Sequence, residues 1–100
     1  MASGTPDYSP RIITSASASE QLKIGVTQAD SSDSFSQEVR SMFVYNDGPN
    51  AVHANEDAAA TTNKFKLPAK AWIMVDIPVT TPHFICASGE TATVYVWGFY

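Results

Sequence analysis

Alternation of apolar and polar residues in short segments is the feature that most constrains this chain. In segment 20–27 every second residue is aliphatic: Leu22, Ile24 and Val26. Because successive side chains of a strand point to opposite faces, this spacing is typical of a half-buried strand. Three later segments follow the same pattern: 37–46, 70–77 and 91–99.

Composition and turn signals extend this pattern to the whole chain. Val, Ile and Thr together number 23, whereas Leu numbers 2, a balance that favours pleated structure over helices. We therefore predict an all-β chain, an antiparallel β-sandwich or jelly roll of seven to eight short strands. Pro6 and Pro10 indicate an extended N-terminal arm over residues 1–10. A single domain is predicted over residues 11–100.

The connections follow from local chemistry. Asp47-Gly48 supplies a positive φ at low cost, so the sequence predicts a turn at Asn46–Asn50 and a hairpin that returns through residues 51–55. Residues 28–36 are predicted to form a polar loop, and residues 88–90 a turn. Phe65 and Leu67 are both predicted to be buried.

Charge and cysteine content argue against several classes of function. Charged residues make up 16% of the chain and the formal net charge is −4, so no basic surface for nucleic acid is expected. No apolar run approaches the roughly 20 residues that span a bilayer, and the first residues lack a signal-peptide pattern. With Cys86 as its single cysteine, the chain has no internal disulfide.

The sequence predicts no metal site, no cofactor and no enzymatic activity. The imidazole and thiol groups are His53, His83 and Cys86, and zinc needs three or four converging ligands. His83 and Cys86 are three residues apart, which places them on opposite faces of a strand. No serine lies in a Gly-x-Ser-x-Gly elbow or beside a histidine. Cys86 is predicted to be a buried apolar residue.

The aromatic residues are the candidates for binding. Four of the 11 aromatic residues lie in the last six positions, and both faces of that strand are apolar. One face supplies the core, and the other must be covered by loops of the same chain, by another protein subunit or by a glycan. The predicted interface consists of five residues: Trp72, Tyr95, Trp97, Phe99 and Tyr100.

Two stretches of sequence carry a resemblance. Segment 43–53, Phe-Val-Tyr-Asn-Asp-Gly-Pro-Asn-Ala-Val-His, resembles a hairpin common in small virion proteins of tailed bacteriophages. Segment 65–69, which leads into an apolar strand, and segment 85–94, Ile-Cys-Ala-Ser-Gly-Glu-Thr-Ala-Thr-Val, fit the same type. The resemblance covers roughly residues 37–100 and consists of hairpins and turn phrases. In these phrases the chain is similar to the β-sandwich capsid decoration, or cement, proteins and to related head or tail accessory proteins.

This resemblance implies a mechanical function and offers no catalytic residues. It implies a virion protein, made in the host cytoplasm, that binds the major capsid protein or another virion protein as a homo-oligomer, with a trimer favoured. Location in the head or the tail stays open, and so does the surface used. The alternative from another class is a carbohydrate-binding module, in which Trp72, Tyr95 and Trp97 form a flat platform for sugar rings.

Overall fold

The computed structural model describes residues 18–100, and these form eight strands and no helix. The predicted arm over residues 1–10 and a further strand candidate over residues 11–15 lie outside the described residues. The strand bounds are β1 Ser19–Val26, β2 Ser31–Ser32, β3 Ser41–Pro49, β4 Val52–Glu56, β5 Phe65–Leu67, β6 Trp72–Val75, β7 Pro82–Ile85 and β8 Ala92–Phe99.

The strands make two four-stranded antiparallel sheets, in the orders β1-β8-β3-β6 and β2-β7-β4-β5. Within the chain, β1 pairs with β8, β2 with β7, β3 with β6 and β4 with β5, so each pair encloses the next. Two further contacts, β8 with β3 and β7 with β4, complete the sheets. This nested pairing is the connectivity of a jelly roll, which confirms the predicted all-β sandwich.

The alternation found in the sequence decides which face of the first sheet points inward. Ile24 pairs with Val94 and Leu22 with Val96, so aliphatic side chains of β1 and β8 lie opposite each other on the inner face. Val94 and Val96 are at most 1% exposed. The core that they join includes Val52, Leu67 and Phe84 of the second sheet. The even-numbered residues of β8 therefore form its inner face.

The predicted hairpin at Asn46–Asn50 is wrong. Strand β3 continues through Asp47 and Gly48 to Pro49, with an irregular register between Asn46 and Gly48 where it pairs with β8. Strand β4 belongs to the other sheet and pairs with β5 and β7. Gly48 has the positive φ that the sequence suggested, at +83°, but the chain uses it at a bulge within the strand.

Buried Asn46 explains why the chain crosses between the sheets at this corner. Its Nδ2 donates to the carbonyl oxygens of Asn50 at 2.9 Å and Leu67 at 3.0 Å, and its Oδ1 accepts from Gly48 N at 2.8 Å. The backbone of Asn46 also bonds Lys70 and Ala71. One side chain thus ties the end of β3 to the loop that follows it and to the end of β5.

Four other predictions need correction. Residues 28–36 contain strand β2 and the buried Phe35, so they are not simply a polar loop. Phe65 is 56% exposed although it lies on the same face of β5 as buried Leu67, because it lies at the cleft between the two sheets, which is open to solvent. The strand predicted over residues 70–77 is shorter, Trp72–Val75, which leaves Ile77 exposed. The alternating segment predicted over residues 37–46 is not one strand, since β3 begins at Ser41 and Val39 lies before it, where it bonds Val79.

Candidate functional site

The outer face of the first sheet carries a continuous set of aromatic side chains. Its residues lie in three rows that run across the strands, and the partners in each row are set by the strand register. We call this surface the outer face; its rows are Lys23–Tyr95–Tyr45–Trp72, then Gln21–Trp97–Phe43–Met74, and then Ser19–Phe99–Ser41. Neighbouring strands are about 4.8 Å apart, so side chains within a row touch.

One end of the outer face is open to solvent. Trp72 is 48% exposed and Tyr95 is 42% exposed. The Phe43 ring lies 5.3 Å from the Trp72 ring, and Lys23 Nζ lies 5.8 Å from the centre of the Tyr95 ring. Both distances are typical of attractive ring and cation–π contacts. We call Tyr45, Trp72 and Tyr95, with the neighbouring ring of Phe43, the exposed end.

A shallow groove of about 320 Å³ crosses the exposed end. Aromatic rings form most of its lining, and the amide of Gln21 and the hydroxyl groups of Tyr45 and Tyr95 supply polar groups. Most of the lining residues belong to β1, β3 and β8, so the sheet ladder fixes their spacing. A rigid aromatic surface with a few polar groups can hold a protein side chain or a sugar ring.

The other end of the outer face is buried. Phe99 is 2% exposed and Ser41 is 0% exposed, although both side chains lie on the face opposite the core. Trp97 and Phe99 pack with ring centres 5.2 Å apart. The Ser41 hydroxyl and the Trp97 Nε1 are inaccessible and have no hydrogen-bond partner within residues 18–100. We call Ser41, Trp97 and Phe99 the covered end.

The structure places four of the five predicted interface residues on the outer face. Trp72 and Tyr95 lie at its exposed end, whereas Trp97 and Phe99 lie at its covered end. Tyr100 lies elsewhere, because it packs against the core and its hydroxyl donates to Glu20. The prediction missed Phe43 and Tyr45, although their alternation in segment 37–46 placed them on one face; their pairing with β8 and β6 was not readable from the sequence.

Glu20, Ser36 and Tyr100 form a polar cluster beside the end of β8. Glu20 accepts hydrogen bonds from the Tyr100 hydroxyl and from Ser36 N and Oγ, and these bonds hold its pKa below the usual value. The bond from Tyr100 to this carboxylate raises the pKa of the Tyr100 hydroxyl. The cluster joins the loop after β2 to both ends of the described chain, so its role here is to hold these segments together.

A second polar cluster joins two loops, at Asp30 and Ala60, to His83 of strand β7 in the other sheet. Asp30 Oδ2 lies 2.9 Å from His83 Nδ1, and Asp30 Oδ1 accepts from Ala60 N at 2.8 Å. Burial raises the pKa of Asp30. The hydrogen bonds from Ala60 and His83 lower this pKa by more than burial raises it, so the net shift is downward. No group of three or more His, Cys, Asp or Glu side chains suited to a metal occurs among residues 18–100.

Cys86 is a core residue, as the sequence predicted. It is 1% exposed and belongs to the hydrophobic cluster. Burial raises the pKa of its thiol, which keeps the sulfur protonated and unreactive at neutral pH.

An apolar cleft of about 200 Å³ opens between the sheets near β5 and β6. Met42 and Ile73 line it from the first sheet, and Phe65 and Phe84 from the second.

Comparison of the chain with family models, with curated proteins and with solved structures gave no match. Within residues 18–100 there is also no helix of the length and apolar character needed to cross a membrane. The jelly-roll connectivity therefore stands on the strand order itself. Because one fold serves many functions, the candidate function must be argued from the outer face.

Proposed function

We propose that the chain is a structural virion protein of the capsid decoration, or cement, type, and that the exposed end of its outer face binds another virion protein. The observation that carries this proposal is the row of Tyr95, Tyr45 and Trp72, held side by side on a four-stranded sheet and partly open to solvent. Tyr and Trp are enriched at protein interfaces because they bury large areas at low entropic cost.

Two further features support this role. Jelly rolls occur in viral capsid proteins, although they also occur in lectins and cupins. The sequence phrases in residues 37–100 resemble those of small virion proteins, although residues 43–53 do not form the hairpin that this resemblance implied. A protein that binds the assembled shell and not its free subunits stabilises the shell by mass action. The chain offers one flat face, so we propose that it acts as a homo-oligomer, a trimer being favoured, whose linked contacts add avidity.

The test is co-sedimentation of the purified protein with assembled capsids of the virus that encodes it. The variant Trp72→Thr/Tyr95→Thr removes the exposed rings and keeps residues that suit strands. We expect the wild type to sediment with the capsids and to raise their temperature of disruption, and the variant to do neither. Phe65→Thr is the matched control, because Phe65 is an exposed ring on the other sheet, 56% accessible. The proposal is contradicted if the wild type and both variants sediment with the capsids to the same extent. It is also contradicted if the wild type does not sediment with the capsids.

The groove on the exposed end favours a second candidate, a carbohydrate-binding module. Its aromatic lining and the Gln21 amide match the stacking and hydrogen-bonding groups that a sugar ring requires. Titration calorimetry against a panel of oligosaccharides tests this candidate directly. Heat of binding that Gln21→Ala and Tyr95→Thr both abolish, without capsid binding by the wild type, favours the module over the decoration protein.

A further inference from the structure

The cleft between the two sheets has apolar walls and a small residue in the middle of one of them. On the second sheet, Ala54 pairs with Phe65 on one side and with Phe84 on the other. The smallest side chain of this row therefore stands between two aromatic rings. On the first sheet, Val44 pairs with Ile73, and both residues line the opposite wall. The short side chain of Ala54 thus contributes to the space of about 200 Å³ between the walls.

The floor of the cleft belongs to the core, whereas its mouth is open to solvent. Val44 and Phe84 are at most 2% exposed, and both line the cleft. Phe65 lies at the mouth and is 56% exposed, although it shares the inward side of β5 with Leu67, which is 3% exposed. A molecule that enters the cleft therefore rests on core side chains and is bordered by the ring of Phe65.

The size and the walls of the cleft select for an apolar ligand. A bound water needs about two to four polar partners, and the aliphatic and aromatic side chains of the walls offer none. An apolar cavity of about 150 Å³ holds one benzene molecule. The cleft, at about 200 Å³, therefore has room for one ring with a short side chain, or for a short alkyl chain.

The charge at the mouth selects the polar end of that ligand. Of the residues between 18 and 100 that line the cleft, Glu56 alone is charged, and it shares one side of β4 with Ala54. Within the same part of the chain, its carboxylate has no ion pair or hydrogen bond. The amide of Asn55 is already used, since Nδ2 donates to the Ala59 carbonyl and Oδ1 accepts from Glu56 N. A carboxylate without a counter-ion attracts a cation and repels an anion.

We infer that the cleft binds a small apolar amine. The ring or short alkyl chain of the ligand lies between the sheets against Val44 and Phe84, and its protonated amino group lies at the mouth beside the carboxylate of Glu56. The same carboxylate disfavours fatty acids and other apolar anions. The site lies between the inner faces of the two sheets, away from the outer face, so the inference does not depend on the proposed function.

NMR titration of the full chain, with ¹³C-labelled methyl groups, tests the inference with three probes of similar size. At neutral pH phenethylamine is a cation, phenethyl alcohol is uncharged and phenylacetate is an anion. We expect the chemical-shift changes to concentrate on the methyl groups of Val44, Leu67 and Ile73. We expect phenethylamine to bind about tenfold more tightly than phenylacetate, with the alcohol between them. The absence of shift changes at these methyl groups, or equal affinities for the three probes, would overturn the inference.

Two variants separate the contribution of the walls from that of the charge. Ala54→Ile fills the middle of its row with a residue that suits strands, and we expect it to abolish binding of all three probes. Glu56→Gln leaves the cleft open, and we expect it to weaken phenethylamine binding about fivefold, to the affinity of the alcohol. Glu38→Gln is the matched control, because it removes an exposed carboxylate elsewhere.

Unchanged binding by folded Ala54→Ile would overturn the inference. A preference for the amine that persists in Glu56→Gln would overturn it as well. If Ala54→Ile does not fold, the comparison of Glu56→Gln with Glu38→Gln decides the inference alone, because both substitutions are at exposed side chains.

Discussion

The two faces of the first sheet differ in how completely the described chain satisfies them. On the inner face Asn46, a buried polar residue, makes three side-chain hydrogen bonds, and Val94 beside it is fully buried. On the outer face the buried Ser41 hydroxyl and Trp97 Nε1 have no partner within residues 18–100, and Tyr95 is open to solvent. The inner face is therefore built for stability, whereas the outer face has surface available for contacts beyond the two sheets.

The largest expected effect concerns the inner face at Asn46. Asn46→Ala leaves the carbonyl oxygens of Asn50 and Leu67 without this donor, and a buried unsatisfied group costs about 1–3 kcal/mol. We expect a loss of about 3 kcal/mol in the free energy of unfolding, measured by urea denaturation. Asn50→Ala is the control, since it removes one exposed bond to Thr91. If Asn46→Ala lowered the free energy of unfolding no more than the control does, the crossing between the two sheets at Asn46 would depend on backbone hydrogen bonds alone.

A smaller loss is expected at Gly98, also on the inner face. A Cβ there would meet Val39 Cγ1 at 2.6 Å and the Phe35 ring at 2.7 Å, so these packed side chains must move. Overpacking of this kind costs about 1–3 kcal/mol, and we expect Gly98→Ala to cost about 2. Gly25→Ala is the matched control on the outer face of β1, where a Cβ meets nothing within 4 Å. Equal unfolding midpoints for the two variants would show that Phe35 and Val39 yield easily.

These two sites also show what could be predicted from the sequence. Alternation identified the segments of β1 and β8 and which of their residues share a face, because successive side chains of a strand point to opposite faces. It gave no strand order, since β8 pairs with β1 and β3, which are distant in sequence. The hairpin predicted at Asp47-Gly48 was wrong because strand pairing depends on contacts that are distant in sequence. Local chemistry permitted a hairpin, but the bonds of Asn46 to Leu67 and of Lys70 to Asn46 direct the chain into the other sheet.

The candidate site was predictable in part. Trp72, Tyr95 and Trp97 stood out because large aromatic residues on an otherwise small-residue strand face need a contact. Phe43 and Tyr45 join them only through the register of β3 with β6 and β8, which is a non-local property. The burial of Phe99 could not be predicted either, because it depends on what lies above the sheet rather than on the strand itself.

The acid dependence of stability tests the polar cluster of Glu20, Ser36 and Tyr100 beside the end of β8. The pKa of Glu20 is lowered in the folded chain by bonds from Tyr100 and Ser36. Its contribution is therefore present above the ordinary pKa of 4.5 and is lost as the pH falls through the lower, folded value. We expect the thermal midpoint to drop below about pH 4.5, and Glu20→Gln to flatten part of that drop.

Glu38→Gln is the control for this measurement, because it removes one carboxylate outside the cluster. The raised pKa of Tyr100 has the opposite sign: its contribution is present below pH 10 and is lost at higher pH. An acid dependence that Glu20→Gln leaves unchanged would assign the low-pH loss to other carboxylates, of which Asp30 also has a lowered pKa.

The smallest expected effect on stability concerns the exposed end, and it bears most directly on function. Tyr95→Thr removes a ring that is 42% exposed and contacts the Lys23 ammonium, while threonine retains the preference for strands. We expect the free energy of unfolding to change by less than about 1 kcal/mol, because substitutions at the surface rarely have larger effects. Val94→Thr, on the inner face of the same strand, is expected to cost more, because it buries an additional hydroxyl group. If Tyr95→Thr destabilised the chain as much as Val94→Thr, the outer ring would be part of the fold's own stability. The proposal that this face is kept for a partner would then lose its basis.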